Sequence, residues 1–141
     1  MSISQISVFV QSEPGHLKRV LDAFEAADIN VRGFSASDTG DYGIVRFILD
    51  NPKRGLEVLS AIGSAATISE VLCVRLEDKP GELARVVGTI SENANIIYSY
   101  SLISTFIVFS VDNVNALEEA LRTQSIQPAE LSDLESCFSG A

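Results

Sequence analysis

Basic residues are scarce in this chain of 141 residues: ten Lys and Arg stand against nineteen Asp and Glu, a formal charge of −9. Neutralising phosphates is the main sequence-independent source of nucleic-acid affinity, so this balance argues against a nucleic-acid partner. The basic doublets Lys18-Arg19 and Lys53-Arg54 read as solvated surface. There are only two cysteines, Cys73 and Cys137, far apart and outside any CxxC spacing. They carry no metal or redox pattern and are expected to be free thiols of a cytoplasmic protein. The single histidine, His16, sits where a helix is expected to start, a place for a surface or capping role before a general base. No GxSxG elbow and no P-loop occurs. The expectation is a protein that is not an enzyme, with no catalytic residue, metal ligand or cofactor. No apolar run approaches the roughly 20 residues that span a bilayer, which argues against a membrane partner. The opening MSISQISVFVQS alternates polar and apolar residues without a basic flank, as a strand does and a signal peptide does not.

What the chain does contain is a repeat. DKPGELARV at 78–86 has already been written as SEPGHLKRV at 12–20. With Pro14 on Pro80, the match continues through Gly15/Gly81, Leu17/Leu83, Arg19/Arg85 and Val20/Val86. Dropping one residue from the second copy brings Asn30-Val31 onto Asn95-Ile96, and IVRFILDN at 44–51 meets FIVFSVDN at 106–113. Self-similarity of this kind takes precedence over any residue-level reading. It predicts two units, 1–69 and 70–141. The 46% apolar and 21% charged content suits a soluble globular chain.

Each copy opens on a period-two strand, with Ile6, Val8 and Val10 matched by Leu72, Val74 and Leu76. Leu17, Val20, Leu21 and Phe24 make the apolar stripe of a helix over about 15–27, and Leu83, Val86, Val87 and Ile90 repeat it. Extended segments at 29–37 and 43–50 follow, joined by SDTGDYG, in which Gly40 and Gly43 are expected to supply positive φ. Leu56, Leu59 and Ile62 mark a second helix, with Leu117 and Leu121 in its counterpart. Strand, helix, strand, strand, helix and a final strand predict an α+β protein of two ferredoxin-like βαββαβ units. Their antiparallel sheets carry the helices on one face and leave the other open. Phe47 and Phe109 fall on the core face, and neither GIVRFIL nor TFIVFSV matches the aromatic pattern of a ferredoxin-like RNA binder. Tyr98 and Tyr100 share a face with Ile96 and Leu102 and are read as partly buried or at an interface. The first copy has room for only a short closing strand. Either the segment 126–138 or the run 67–76 is expected to tie the units by pairing across them.

The repeated junction is where chemistry is expected. A helix start leaves backbone N–H groups unpaired and its dipole favours an anion, while Gly15 and Gly81 admit a ligand close to the backbone. Asp78 can accept from an ammonium, with Ser12 at the matching place in the first copy, and Asn30 and Asn95 each offer a donor and an acceptor. The plainer alternative makes Asp78 and Ser12 helix N-caps and the asparagines loop ends.

PGxL leading into an amphipathic helix, then Asn and an aliphatic residue opening a strand inside a βαββαβ unit, resembles the ACT domain. The chain resembles two of them in tandem over nearly all of residues 3–137, with AspLysProGlyGluLeu at 78–83 the better match. AspIleAsnVal at 28–31 and AlaAsnIle at 94–96 lack the Gly usual ahead of that Asn segment. The resemblance implies a stand-alone regulatory module that binds an amino acid or related small metabolite at the interface of paired domains. It also implies a metabolic enzyme as the partner modulated in trans, and exposed edge strands, which invite pairing, add the expectation of a homodimer. The site residues it implies are Ser12, Gly15, His16 and Leu17 in the first loop, Asp78, Gly81, Glu82 and Leu83 in the second, and Asn30 and Asn95 on the strands. The competing reading is a ligand-free interaction and dimerisation module.

Overall fold

The computed structural model describes residues 2–11, 14–38, 42–102 and 105–134. The elements run β1 (Ile3–Gln11), α1 (His16–Ala26), β2 (Val31–Asp38), β3 (Tyr42–Leu49), α2 (Pro52–Ala61), β4 (Ala66–Arg75), α3 (Glu82–Ser91), β5 (Ile96–Ser101) and β6 (Phe106–Val111). A 3-10 turn (Asn115–Leu117) then leads into α4 (Glu118–Thr123). The chain divides into one compact unit, Ser4–Ser69, and another that gathers Glu70–Ala141 with Met1–Ile3. Strand β4, ten residues long, crosses that division: 66–69 belong to the first unit and 70–75 to the second.

In the first unit the strands lie in the order β2-β3-β1-β4, antiparallel wherever β1, β2 and β3 pair. The short run 66–69 is the closing strand, and Phe9 N–H donates to the Ala65 carbonyl at 3.0 Å beside it. Ile6, Val8, Val45 and Phe47 from the sheet meet Val20 and Phe24 of α1 and Leu59 of α2 in one buried cluster, so both helices cover the same face. Phe24 meets Phe47 edge-on at 5.2 Å, a geometry that aromatic quadrupoles favour.

The second unit repeats this plan. The order is β4-β6-β5, again antiparallel. Leu72, Val74 and Phe109 pack on Val86 and Ile90 of α3 and on Leu117 and Leu121. The α+β class, the ferredoxin-like units and the shared helix face therefore follow the sequence expectation, as does the core position of Phe47 and Phe109. Tyr98 and Tyr100 are half-buried, with their rings stacked at 6.4 Å.

Several expectations change. The helix stripes are turned by one residue in their first turn: α1 buries His16, Val20 and Phe24, and α3 buries Glu82, Val86 and Ile90. Leu17 is only partly buried, and Leu83 is 49% exposed. Gly43 lies in β3 without a positive φ; a Cβ there would meet the Ser37 carbonyl oxygen at 3.0 Å and Val10 Cγ2 at 3.1 Å, so close packing selects glycine. Gly40, Cys137 and the end of the segment 126–138 lie outside the described residues. The described part of that segment pairs within its own unit. Pro128 bridges antiparallel to Val74, and Ala129 N–H donates to the Cys73 carbonyl at 2.7 Å.

The face of the second unit's sheet opposite its helices is not open. Cys73 and Val108 are register partners that alternate with the core residues Leu72, Val74 and Phe109, so they point away from α3, yet both are fully buried. Leu134 is fully buried as well. Burial, with Asp133 nearby, pushes the Cys73 thiol up to about 12.

Candidate functional site

Both β–α junctions end in a glycine N-cap. Gly15 has φ 91° and Gly81 φ 85°, the left-handed region that an L side chain enters only with strain. Pro14 and Pro80 stand one position before these caps. Among the described residues neither helix receives a side-chain cap, so Asp78 does not cap α3; Ser12 lies outside the described residues. At the start of α3 the Leu83 and Ala84 N–H groups occupy the positions a Ser or Asp cap would serve. The first intrahelical bond runs from Arg85 N–H to the Gly81 carbonyl at 3.0 Å.

Beyond the glycine the two units differ. His16 is 7% exposed, and its Nδ1 accepts from the Gln11 N–H at 2.9 Å, tying the helix back onto the end of β1. That places the ring proton on Nε2, which is buried with no partner among the described residues. In the second unit Glu82 is likewise 7% exposed and pairs instead with Arg85, at 2.6 Å from Nη2 and 3.3 Å from Nε. The bond from Arg85 holds the Glu82 carboxyl below the usual carboxylate range against the opposing effect of burial. Arg85 Nη1 also donates to the Gln124 carbonyl at 2.7 Å, fastening α3 to the end of α4. Lys79 pairs with Glu77 at 3.0 Å inside the loop itself.

The loop between β4 and α3 stands between two depressions. A hollow of about 310 Å³ lies among Leu76, Glu77, Asp78, Lys79, Leu83, Ser101, Thr105 and Ile107. A cleft of about 800 Å³ reaches from Arg75–Asp78 past Glu82 and Arg85 to the C-terminal residues Ser125–Ala129 and Asp133. Leu76, Glu77, Asp78 and Thr105 face both. Asp78, Glu82 and Leu83, singled out from sequence, thus gather at one place. Arg75, Arg85 and Thr105 were missed. The opposite charges at Glu82 and Arg85, three apart on a helix, were the available signal for one of them.

The asparagines lie elsewhere. Asn30 follows the C-terminus of α1 and Asn95 that of α3, whereas the glycines cap the N-termini, so a helix of ten or eleven residues, roughly 15 Å long, separates them within each unit. Both asparagines are held by the same device. Asn30 N–H donates to Asp50 Oδ1 at 3.0 Å while Asp50 N–H returns to the Asn30 carbonyl at 3.1 Å. Asn95 and Asp112 repeat this at 3.0 and 3.2 Å. The next residue caps the following turn: Asn51 accepts from Arg54 N–H and Asn113 from Ala116 N–H, each at 3.2 Å. Asn30 also borders a hollow of about 500 Å³ with Asp28 and Asp50. A one-residue bulge follows in each copy, at Arg32 and at Ile97; Arg32 is buried and Ile97 is 61% exposed.

Among the described residues there is no cluster of three His, Cys, Asp or Glu side chains that would hold a metal, and no helix long and apolar enough to cross a membrane.

Comparison with known proteins places this geometry. A family model described as an ACT domain pair matches residues 1–136. Among solved structures, protein BT0572 from Bacteroides thetaiotaomicron superposes with a TM-score of 0.89 at 28% identity, covering 95% of this chain and 96% of its own. The regulatory subunit of aspartate kinase from Thermus thermophilus gives 0.64 at 21% identity, with 84% and 87% covered. That from Thermus flavus gives 0.60 at 17%, with 85% and 90% covered. At these identities the two kinase subunits testify to the fold. No curated protein matches the sequence.

Proposed function

The chain belongs to the ACT domain-pair family, and from that premise we propose that it is a regulatory protein that binds an amino acid or a closely related small metabolite and modulates a partner enzyme in trans. The observation that carries this reading is the start of α3. A glycine in the left-handed region, with no side-chain cap among the described residues, starts the helix beside a hollow that Leu83 and Asp78 both line. Backbone donors at the positive end of a helix suit a carboxylate, and Asp78 suits an ammonium beside it.

Gly81 and Asn95 sit at opposite ends of one helix, so a ligand that uses both kinds of group takes the loop of one copy of the chain and the asparagine of a second copy. Such a site is completed by pairing, and binding shifts the equilibrium between arrangements by the ligand's differential affinity for them. The half-exposed Leu83 beside the hollow and the exposed Ile97 on β5, the edge strand of its unit, suit a homodimer. The role is regulatory, without catalysis or cofactor.

A thermal-shift screen against the twenty amino acids and their keto acids tests the reading. A ligand at 100 times its Kd adds about 2.7 kcal/mol to stability, so a selective rise in Tm is expected. A flat screen would sink the ligand reading and favour the ligand-free interaction module, for which the same apolar residues are the surface.

A further inference from the structure

We propose that this chain associates with a second copy of itself through unlike edges: β2 of one copy pairs antiparallel with β5 of the other, so that each loop meets the asparagine of the opposite unit. β2 and β5 each end the strand order of their unit, with one side of the backbone unpaired among the described strands. Edge strands are commonly protected by Lys, Pro or other charge. Neither VRGFSASD nor IIYSYS contains Lys or Pro, and no charged residue occurs over 33–37 or 96–101. In a chain of formal charge −9, copies meet at least electrostatic cost where neither side brings an acid.

Strand register fixes the face that each edge residue takes. Phe34 and Ala36 are partners of the core residues Phe47 and Val45 and share the helix face, whereas Gly33 and Ser35 are partners of Ile48 and Arg46 on the other. Ser99 is the partner of the core residue Phe109, while Tyr98 and Tyr100 pair with Ser110 and Val108 on the face away from the helices. Size therefore alternates in opposite senses. β2 carries Phe34, 49% exposed, on the helix face and small residues behind it; β5 carries exposed Ser99 on the helix face and two tyrosines behind it. Two β2 strands paired together leave the far face hollow, and two β5 strands leave the helix face hollow. The unlike pair fills both. With Gly33 opposite Tyr100, Phe34 opposite Ser99 and Ser35 opposite Tyr98, each cross-strand pair joins one large residue to one small. An aromatic ring across from an edge glycine also covers the backbone that the glycine leaves bare.

The direction of the strands then sets what comes together. The β–α loops follow the ends of β1 and β4, and the asparagines precede the starts of β2 and β5. β1 and β2 both run antiparallel to β3, as β4 and β5 do to β6, so loop and asparagine lie at opposite ends of their own sheet. An antiparallel seam reverses one sheet against the other. Asn30 then stands at the end that carries the Asp78–Gly81 loop of the second copy, and Asn95 at the end that carries its Gly15–His16 junction. Three strand spacings of about 4.8 Å separate the asparagine's strand from the loop's strand across the seam. A two-fold axis repeats the seam and closes a dimer. That the shared place takes an amino acid rests on the function proposed above; the seam does not.

The experiment measures dimerisation of the full chain by ultracentrifugation with no ligand added. Ser35→Glu and Tyr98→Lys are each expected to raise the dimer dissociation constant about tenfold, and the double variant to recover most of that loss, because Glu at 35 then meets Lys at 98 of the second copy. Recovery also shows that the single variants fold. Pairing of like edges sets Glu against Glu and Lys against Lys, so a double variant weaker than either single would overturn the unlike seam. A wild-type chain that stays monomeric would overturn it too. For the placement of the loops, Asn30→Cys chains are mixed with Lys79→Cys chains, both carrying Cys137→Ser, and treated with a bismaleimide of about 15 Å span. Asn30 meets Asp50 through backbone groups, and Lys79 pairs inside its loop, so both positions accept the change. A link from 30 of one chain to 79 of the other is expected; its absence beside a recovered double variant would overturn the shared site and leave the seam. A flat amino-acid screen beside a recovered double variant would sink the ligand reading alone.

Discussion

At the first position of its helix the first unit carries His16 and the second carries Glu82, both buried, and the two side chains turn to different partners. His16 bonds back to Gln11 on the strand that precedes it. Glu82 bonds forward to Arg85, which reaches on to the end of α4. One junction is locked to its own strand, and the other is fastened to the far end of the unit through a charged pair lining a cleft. The Pro-Gly turn and its left-handed cap are common to both, so the backbone is the repeated part and the side chain after the cap is where the units part company.

The comparison can be broken at several levels. If the two cores are equivalent, Leu59→Ala and Leu121→Ala should each cost about 2–5 kcal/mol in denaturant unfolding, since both side chains are fully buried against a helix–sheet cluster. A near-zero cost for one alone would show that the units do not contribute equally to the cooperative fold.

The caps come next. Gly15→Ala and Gly81→Ala should each destabilise by roughly 1–2 kcal/mol through the left-handed conformation alone, as a Cβ at either place meets nothing within 4 Å. Unequal losses would mean that the turn is not the shared element. Asn51→Ala and Asn113→Ala should each cost about 1 kcal/mol, the loss of one helix cap.

The smallest effects separate the two junctions. His16→Ala should cost about 1 kcal/mol or less, because the unpartnered Nε2 leaves together with the acceptor for Gln11. Glu82→Gln should show a pH signature. The folded-state pKa of Glu82 is depressed, so its contribution is present above the ordinary glutamate range and disappears as pH falls through the folded value. Wild type and variant should therefore differ at neutral pH and converge in acid; a constant gap across the titration would assign the loss to packing.

Much of this molecule was legible as text. The gapless run from Pro14/Pro80 to Val20/Val86 and the later DN pairs at 50–51 and 112–113 identify the repeat, and apolar periodicity places the elements within one or two residues. The DN pairs prove to be more than alignment markers, since Asp50 and Asp112 hold Asn30 and Asn95 and the asparagines that follow cap the next turns. The site was legible only in part. Asp78, Glu82 and Leu83 do gather around one loop, whereas Asn30 and Asn95 are removed from the glycines of their own unit by the length of a helix.

Sequence by itself determined the two-unit plan, the β–α junctions and the helix-covered face, because these rest on short-range rules: the period of apolar residues, the conformational freedom of glycine and the capping reach of Asn. Only the tertiary structure decided which side of each helix faced inward in its first turn, that Arg85 would be fixed between Glu82 and Gln124, and that the C-terminal segment would pair with β4 at Cys73 and Val74. Those outcomes depend on contacts between residues tens of positions apart, where competing partners are chosen by packing and by the need to satisfy buried polar groups, and no local pattern encodes that choice.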